Sequence, residues 1–233
     1  MGWLCVSGIF HVKQIFYGAK PVSLGMQCCF IRSLLERNTV KRSSSNGKAI
    51  GEMTMEYTSH YDSPIGGITL ASDGDVLIGL WFDGQRYFAD ALDADYEEKD
   101  IPIFEKTRKW LDVYFSGKEP GFTPELGMKT TDFRKTVWEA MLKIPYGKTM
   151  TYGEIADIIA KQKGIARMSA QAVGGAVGHN SISLIIPCHR VVGADGNLTG
   201  YAGGIERKIK LLEMEGTDTS RFFVPKRRAS EVR

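Results

Sequence analysis

The pattern of apolar and polar positions divides the chain into three regions. Residues 1–52 show no sustained period of either kind and end in a polar stretch rich in serine and lysine. From Tyr57 onward the pattern is typical of β-structure. Two apolar runs, 68–72 and 76–82, flank an Asp-Gly dipeptide at 73–74, which favours a tight hairpin turn.

The first region does not have the features of a folded domain. Met53 and Met55 directly follow its polar end. We therefore expect residues 1–52 to be an extension that is either disordered or not part of the working protein. A genuine N-terminal tail is the alternative interpretation.

The second region, 55–127, is predicted to be a small α+β unit. An acidic stretch over 87–100 is compatible with a helix, and the apolar period over 102–115 predicts a further helix. Gly117 and Pro120 end it. This unit offers no cluster of catalytic side chains.

The third region, 128–233, is predicted to be helical with one irregular insert. Helical periods cover 133–144 and 205–215. A capping box at 151–154 starts another helix, and Ser169 caps one that runs through Val177. Two short helices joined by a turn predict a helix-turn-helix arrangement.

The helix after Ser169 is unusually rich in alanine and glycine, with the adjacent pair Gly174 and Gly175. Each interior glycine costs about 1 kcal/mol relative to alanine, so a close approach must require them. Tight packing against another helix is one explanation. The other is approach to a nucleic acid backbone in the minor groove, where Gln171 is the one long polar side chain.

Charge supports a polyanionic partner for the third region. The chain carries +3 overall, but 1–52 carries +5, 53–127 carries −9 and 128–233 carries +7. A basic C-terminal half favours contact with nucleic acid, although scattered surface charge explains the numbers equally well.

The sharpest chemical feature is a Pro-Cys-His-Arg run at 187–190, which follows an apolar, strand-like segment. A thiolate is a nucleophile, and an adjacent imidazole or cation lowers the pKa of a thiol. A buried structural cysteine beside a satisfied histidine is the alternative. A zinc site is disfavoured because there is no Cys-x-x-Cys pair. The other cysteines, Cys5, Cys28 and Cys29, lie in the extension, and all four are expected to be free thiols in a reducing cytoplasm.

A carboxylate extends this pair. Glu215 follows the apolar stripe of the helix over 205–215, and a carboxylate directed at a core needs a partner. That partner is His189 in one interpretation, which gives a Cys–His–carboxylate relay. In the other, Glu215 reaches solvent at the helix end.

These residues resemble one known family. The run Pro187–Val192, the preceding segment 172–176 with Asn180, and the following segment 200–204 are similar to those of the O6-alkylguanine-DNA alkyltransferases, also called methylated-DNA–protein-cysteine methyltransferases. The resemblance covers residues 57–226. It implies a ribonuclease-H-like α+β N-terminal domain and a helical C-terminal domain with a helix-turn-helix.

The resemblance also implies the chemistry. Cys188 would accept the alkyl group of O6-alkylguanine, with O4-alkylthymine as a second candidate substrate, in a single irreversible turnover. His189 would take the thiol proton through a water, and Glu215 would orient His189. Tyr152 would donate a proton toward the leaving base, and Asn180 would hold the loop of Cys188.

The implied partner is double-stranded DNA with the alkylated nucleotide flipped out. The implied DNA contacts are Ser169, Ala170, Gln171, Ala172, Gly174, Gly175 and Arg190, and the implied base pocket is lined by Val177, Val191, Tyr201 and Ala202. Two positions depart from the family. Gln171 stands where many members have arginine, and Ala202 stands where some have serine.

We expect a monomer that needs no cofactor, no metal and no membrane. Two other classes of protein are alternatives. A non-catalytic module that marks alkylated DNA would not depend on Cys188. A cysteine hydrolase would turn over repeatedly, ignore DNA and leave the glycine-rich helix unexplained.

Overall fold

The computed structural model of the protein describes residues 55–225. The predictions for 1–52, including those for Cys5, Cys28 and Cys29, lie outside the described residues. The same holds for the last part of the family resemblance, at Lys226.

The N-terminal part of the described chain forms a four-stranded sheet. Its strands are β1 (Glu56–Ser63), β2 (Gly66–Ser72), β3 (Leu77–Phe82) and β4 (Tyr96–Glu98). They lie in the order β3-β2-β1-β4, with β4 parallel to β1 and the other pairs antiparallel. The predicted hairpin is therefore confirmed as β2 and β3.

The interpretation of residues 87–100 as a helix is wrong. Residues 87–92 form turns, and β4 follows them. Aspartates compete with helical hydrogen bonding of the backbone, and here the carboxylate of Glu56 accepts a hydrogen bond from the Asp93 N–H (2.7 Å). A long-range contact thus fixes the segment as a turn.

Helix α1 (Pro102–Phe115) matches its predicted bounds. Proline in the first turn loses no hydrogen bond there, and the apolar stripe buries Phe104, Trp110, Leu111 and Tyr114. This stripe directs Tyr114 toward the C-terminal part of the chain.

The C-terminal part contains α2 (Asp132–Met141), α3 (Tyr152–Lys163), α4 (Ala170–Gly178) and α5 (Ile205–Met214). Thr151 and Glu154 form the predicted capping box of α3. Ser169 caps α4 by accepting a hydrogen bond from the Ala172 N–H (3.3 Å). Two short parallel strands, β5 (Met150–Thr151) and β6 (Val191–Val192), pair nearby.

The segment before Cys188 is not the strand that its apolar run predicts. It bends, with Leu184 at a φ of 68°, and then forms a single 3-10 turn over Cys188–Arg190. Hydrogen bonds of 2.8 Å join Leu80 of β3 to Ser181 and Ser183. An apolar run indicates only that a segment is buried. Here the segment is an irregular loop, and some of its buried backbone groups form hydrogen bonds with the edge strand of the sheet.

One apolar core joins the sheet to the helices. It includes Phe82 of β3, Tyr114 of α1, Trp138 of α2 and Cys188 itself. Within residues 55–225, no helix has the length and apolar character needed to cross a membrane.

Candidate active site

Asn180 fixes the loop that presents Cys188. Its Nδ2 donates to the carbonyl of Ile186 (2.8 Å) and to Sγ of Cys188 (3.1 Å), and its Oδ1 accepts from the Ile182 N–H (3.1 Å). A buried amide with partners on both ends is rigid. The sulfur is therefore held in place by a donor that favours the thiolate.

Burial raises the pKa of the Cys188 thiol, and the Asn180 hydrogen bond and the charge of Lys208 oppose that rise. Only 4% of the residue is exposed. Because the thiol is neutral at ordinary pH, the site needs a base to form the nucleophile.

His189 is arranged as that base. Its Nε2 lies 2.7 Å from Oε1 of Glu215, and since an ionised carboxylate only accepts, the ring proton is assigned to Nε2. Burial lowers the pKa of His189, against the raising effect of Glu215, so the ring is neutral. Its Nδ1 is buried and has no hydrogen-bond partner within the described chain, which leaves this nitrogen to take a proton.

Glu215 is the most heavily bonded group in the site. Besides His189, its carboxylate accepts from Nε of Arg190 (2.8 Å), from the Tyr114 hydroxyl (2.8 Å) and from the Gly147 N–H (3.1 Å). Burial raises its pKa, but the bonds and charges of His189 and Arg190 outweigh this and lower it to about 2. Glu215 thus remains a carboxylate at neutral pH.

Lys208 joins the two segments that flank the site. Its side chain is fully buried, and Nζ donates to the carbonyls of Val191 (2.5 Å) and Thr199 (3.2 Å). Burial lowers its pKa to about 8. The lysine connects β6 to the loop that leads to Tyr201.

Tyr152 lies at the start of α3, between Cys188 and the glycine-rich helix. Its hydroxyl donates to the Thr199 carbonyl (3.1 Å). Burial, and then the nearby Cys188, raise its pKa to about 12, so the hydroxyl keeps its proton at neutral pH. Its ring lies 3.8 Å from the point where a Cβ on Gly174 would be.

The glycines of α4 face open space more than protein. Among the residues that the structure describes, a Cβ on Gly175 or Gly178 would meet no atom within 4 Å, and one on Gly174 would make only ordinary contact. Tight helix packing therefore does not account for them. The residues predicted to contact DNA at the start of this helix are all exposed: Ser169, Ala170, Gln171 and Ala172.

A cavity of about 220 Å³ opens beside this surface. The predicted contact residues Gly174 and Gly175 line it together with the predicted pocket residues Tyr201 and Ala202. Val177 and Val191 are buried members of the same apolar core as Cys188. No cluster of His, Cys, Asp or Glu side chains within residues 55–225 has the makeup of a metal site.

Comparison with known proteins places this geometry in a family. Residues 56–126 match the family model of the 6-O-methylguanine DNA methyltransferase, ribonuclease-like domain. Residues 132–217 match that of the 6-O-methylguanine DNA methyltransferase, DNA binding domain. A methylated-DNA–protein-cysteine methyltransferase of Mycobacterium bovis is 48% identical over 159 residues, which cover 67% of this chain and 92% of that protein. The chain belongs to the methylated-DNA–protein-cysteine methyltransferase family.

Two further relatives of this methyltransferase family extend the likeness. The Haemophilus influenzae enzyme is 38% identical over 182 residues, covering 73% of this chain and 97% of that protein. The crystal structure of Mycobacterium tuberculosis OGT in complex with DNA is 45% identical, with a TM-score of 0.58 over 72% of this chain and 94% of that chain. The predicted α+β fold, with a ribonuclease-like domain followed by a DNA-binding domain, is confirmed.

One predicted role is wrong. Arg190 was expected to contact DNA, but the residue is only 9% exposed. Its guanidinium forms a two-point contact with Glu215 and donates to the Ile144 carbonyl (2.7 Å). A buried carboxylate needs a paired cation. In the methyltransferase site, Arg190 is that cation and neutralises the charge of Glu215.

Two further side chains belong to the site, Tyr114 and Lys208, and neither is among the residues predicted from the sequence. Tyr114 is separated from Glu215 by 101 residues, so no local pattern links them. Lys208 did leave a signal, since it lies in the helix of Glu215 one turn before Leu211 and Leu212, which are buried. A lysine within the apolar stripe of a helix is itself an indication of a buried, paired charge.

Proposed function

We propose that this protein repairs DNA by direct, irreversible transfer of the alkyl group from O6-alkylguanine to its own Cys188, once per molecule. O4-alkylthymine is the second candidate substrate. The observation that carries the proposal is His189, which directly follows the buried Cys188 in the chain. Its Nε2 is engaged by Glu215 (2.7 Å), while its buried Nδ1 has no hydrogen-bond partner within residues 55–225.

The transfer balances with these groups. A water relays the Cys188 proton to Nδ1 of His189, and Glu215 stabilises the imidazolium that forms. The sulfur attacks the alkyl carbon in line, an S–C bond forms, and the bond from carbon to O6 breaks. The guanine leaves with the bonding electrons and takes a proton from Tyr152, whose phenol is protonated at neutral pH. The imidazolium of His189 then releases its proton to water and Tyr152 regains one from water, so the net change is the transfer of the thiol proton to guanine. The thioether is stable, so the protein acts once.

The proposed partner is double-stranded DNA. Helices α3 and α4 act as a helix-turn-helix, with α4 in the minor groove and the alkylated nucleotide extruded toward Cys188. The open space at Gly175 supports this, since a Cβ built there would meet no atom of residues 55–225 within 4 Å. Gln171, exposed at the start of α4, fills the gap in the duplex by hydrogen bonding to the orphaned cytosine.

The extruded base is bound by Val177, the Val191 backbone, Tyr201 and Ala202. The hydroxyl of Tyr201 is buried with no partner in the described chain, which supports a ligand contact there. We further propose that the domain boundary falls near residue 127, between the two matched family segments. The protein works as a cytoplasmic monomer without a cofactor.

The test is stoichiometry. A duplex containing one O6-methylguanine is mixed with the protein, and the remaining lesion is counted against protein added. We expect the loss to stop at one lesion per protein molecule, and Cys188→Ala to retain DNA affinity but remove no methyl group. Continued turnover would favour a hydrolase, and tight binding without transfer would favour a lesion-binding module.

A further inference from the structure

A strained loop from the N-terminal part of the chain reaches the rim of the cavity beside α4. This loop, residues 84–90, follows β3, and both Tyr87 and Ala89 have left-handed φ angles, of 60° and 58°. Residues other than glycine adopt this conformation only when surrounding contacts impose it, and such positions gather at functional sites.

Three contacts hold the first part of this loop, at Arg86 and Tyr87. The Tyr87 ring stacks on His179, just after α4, with centroids 4.0 Å apart. The guanidinium of Arg86 lies over the Tyr87 ring, 4.7 Å from its centroid. The Arg86 N–H donates to the carbonyl of Ala202 (3.1 Å). The loop therefore bridges the end of α4 and the predicted base pocket.

Arg86 gives this cavity its charge. Of the described residues that line the cavity, Arg86 alone carries a permanent charge, and the others are mainly glycines and aromatic side chains. Helix α4 itself contributes no cation. A DNA strand lying on this surface brings phosphates to a region that is otherwise neutral.

The chemistry of Arg86 fits a phosphate better than a base edge. The residue is exposed, and its guanidinium lies over the Tyr87 ring, 4.7 Å from the centroid, while its five N–H donors remain available to a ligand. That planar fork matches phosphate oxygens, and such contacts fix a protein's position on DNA.

We propose that Arg86 binds a backbone phosphate of the strand that carries the extruded nucleotide, and that Tyr87, stacked on His179, is a positioning residue for this contact. The inference rests on the proposed function. It adds to that function a DNA contact supplied by the N-terminal part of the chain.

The test is Arg86→Gln, with Lys109→Gln as the matched control. Lys109 is an exposed cation of α1 that is not part of the cavity lining. Methyl transfer to Cys188 is timed with a duplex containing O6-methylguanine at several salt concentrations, and with free O6-methylguanine base. For Arg86→Gln we expect transfer from duplex to fall about tenfold and the salt dependence to weaken by about one phosphate contact. The free base should react at the wild-type rate.

Each other outcome is decisive. If Arg86→Gln matches Lys109→Gln on duplex, the phosphate contact does not exist. If both substrates slow equally, Arg86 supports the pocket and the proposal is wrong. Absence of transfer from either substrate in the wild-type protein would instead overturn the proposed function.

Two more variants separate charge from position. Arg86→Lys keeps the cation but loses the planar fork, so we expect the salt dependence to recover while the duplex rate recovers only in part. Tyr87→Leu removes the stack, and we expect a loss on duplex smaller than that of Arg86→Gln. A Tyr87→Leu variant with wild-type duplex rates would contradict the positioning role.

Discussion

The buried relay around Glu215 and the exposed face of α4 are built on opposite principles. In the relay, every partner of the carboxylate is a specific donor within 3.1 Å. On the exposed face of α4, the glycines have open space around them within the described structure, and Gln171 is the one long polar side chain of the helix. Chemistry requires fixed protonation states, which burial and hydrogen bonds set. Binding to DNA of any sequence requires a surface with few side chains that can hydrogen-bond to base edges, and small residues provide such a surface.

This contrast explains the different consequences of substitution in the two regions. A change in the relay alters both stability and the transfer step, because each group there is buried and paired. For a change at an exposed glycine of α4, the proposed function predicts altered DNA contact with the fold intact or stronger. Four variants test this separation, from the largest expected effect to the smallest.

Glu215→Gln should have the largest effect. It leaves Arg190 buried without its charge partner, and we expect the free energy of unfolding to fall by about 3–5 kcal/mol. Transfer from both duplex and free base should slow, because His189 loses the group that orients it. Glu213→Gln, an exposed change on α5, is the control and should leave both properties unchanged.

The same variant carries a pH prediction. The pKa of Glu215 is lowered from 4.5 to about 2, so the stability gained from its ionised form is complete above pH 4.5. It is lost as the pH falls toward 2. Acid titration of unfolding should show this loss in the wild type and a smaller one in Glu215→Gln. Equal acid sensitivity would contradict the pairing.

Tyr114→Phe should have the next largest effect. It removes one donor to Glu215, and we expect a loss of about 1–2 kcal/mol in unfolding free energy with slower transfer from both substrates. Tyr146→Phe is the matched control, because the Tyr146 hydroxyl is buried with no hydrogen-bond partner within residues 55–225. If the two variants behave alike, the Tyr114 hydrogen bond does not support the relay.

Gly175→Ala tests the surface region. Because its added methyl group meets open space, we expect a gain of about 0.5–1 kcal/mol in unfolding free energy. DNA affinity should weaken, and reaction with free base should not change. A loss of stability would instead support the packing explanation for the glycines.

Gln171→Arg should have the smallest effect. An arginine at this exposed position can stack in the gap left by the extruded base, which is worth about 0.5–1 kcal/mol. We expect faster repair of duplex, by about two- to fivefold, and no change with free base. Equal acceleration of both substrates would exclude the gap-filling role.

The part of this account that sequence predicts is local. The capping box at Thr151 and Glu154 and the serine cap of α4 determine helix starts from neighbouring residues, and their helices begin where expected. For Glu215, the apolar stripe and the need of a carboxylate for a partner leave two interpretations open, pairing with His189 or exposure to solvent, and the structure shows the pairing.

The rest depends on contacts between distant segments. Tyr114 reaches Glu215 from another part of the chain, Arg190 turns inward because Glu215 is there, and Glu56 holds the turn at Asp93. The positive φ of Tyr87 follows from stacking on His179. None of these contacts has a signature within its own stretch of sequence.

The central claim is that Cys188 itself accepts the alkyl group, and one measurement tests it most directly. The protein is incubated with an excess of duplex containing O6-methylguanine, its intact mass is measured, and its peptides are mapped. We predict the gain of one methyl group per molecule, located on Cys188. A methyl group on any other residue, or an unchanged mass after the lesion has disappeared, would contradict the account.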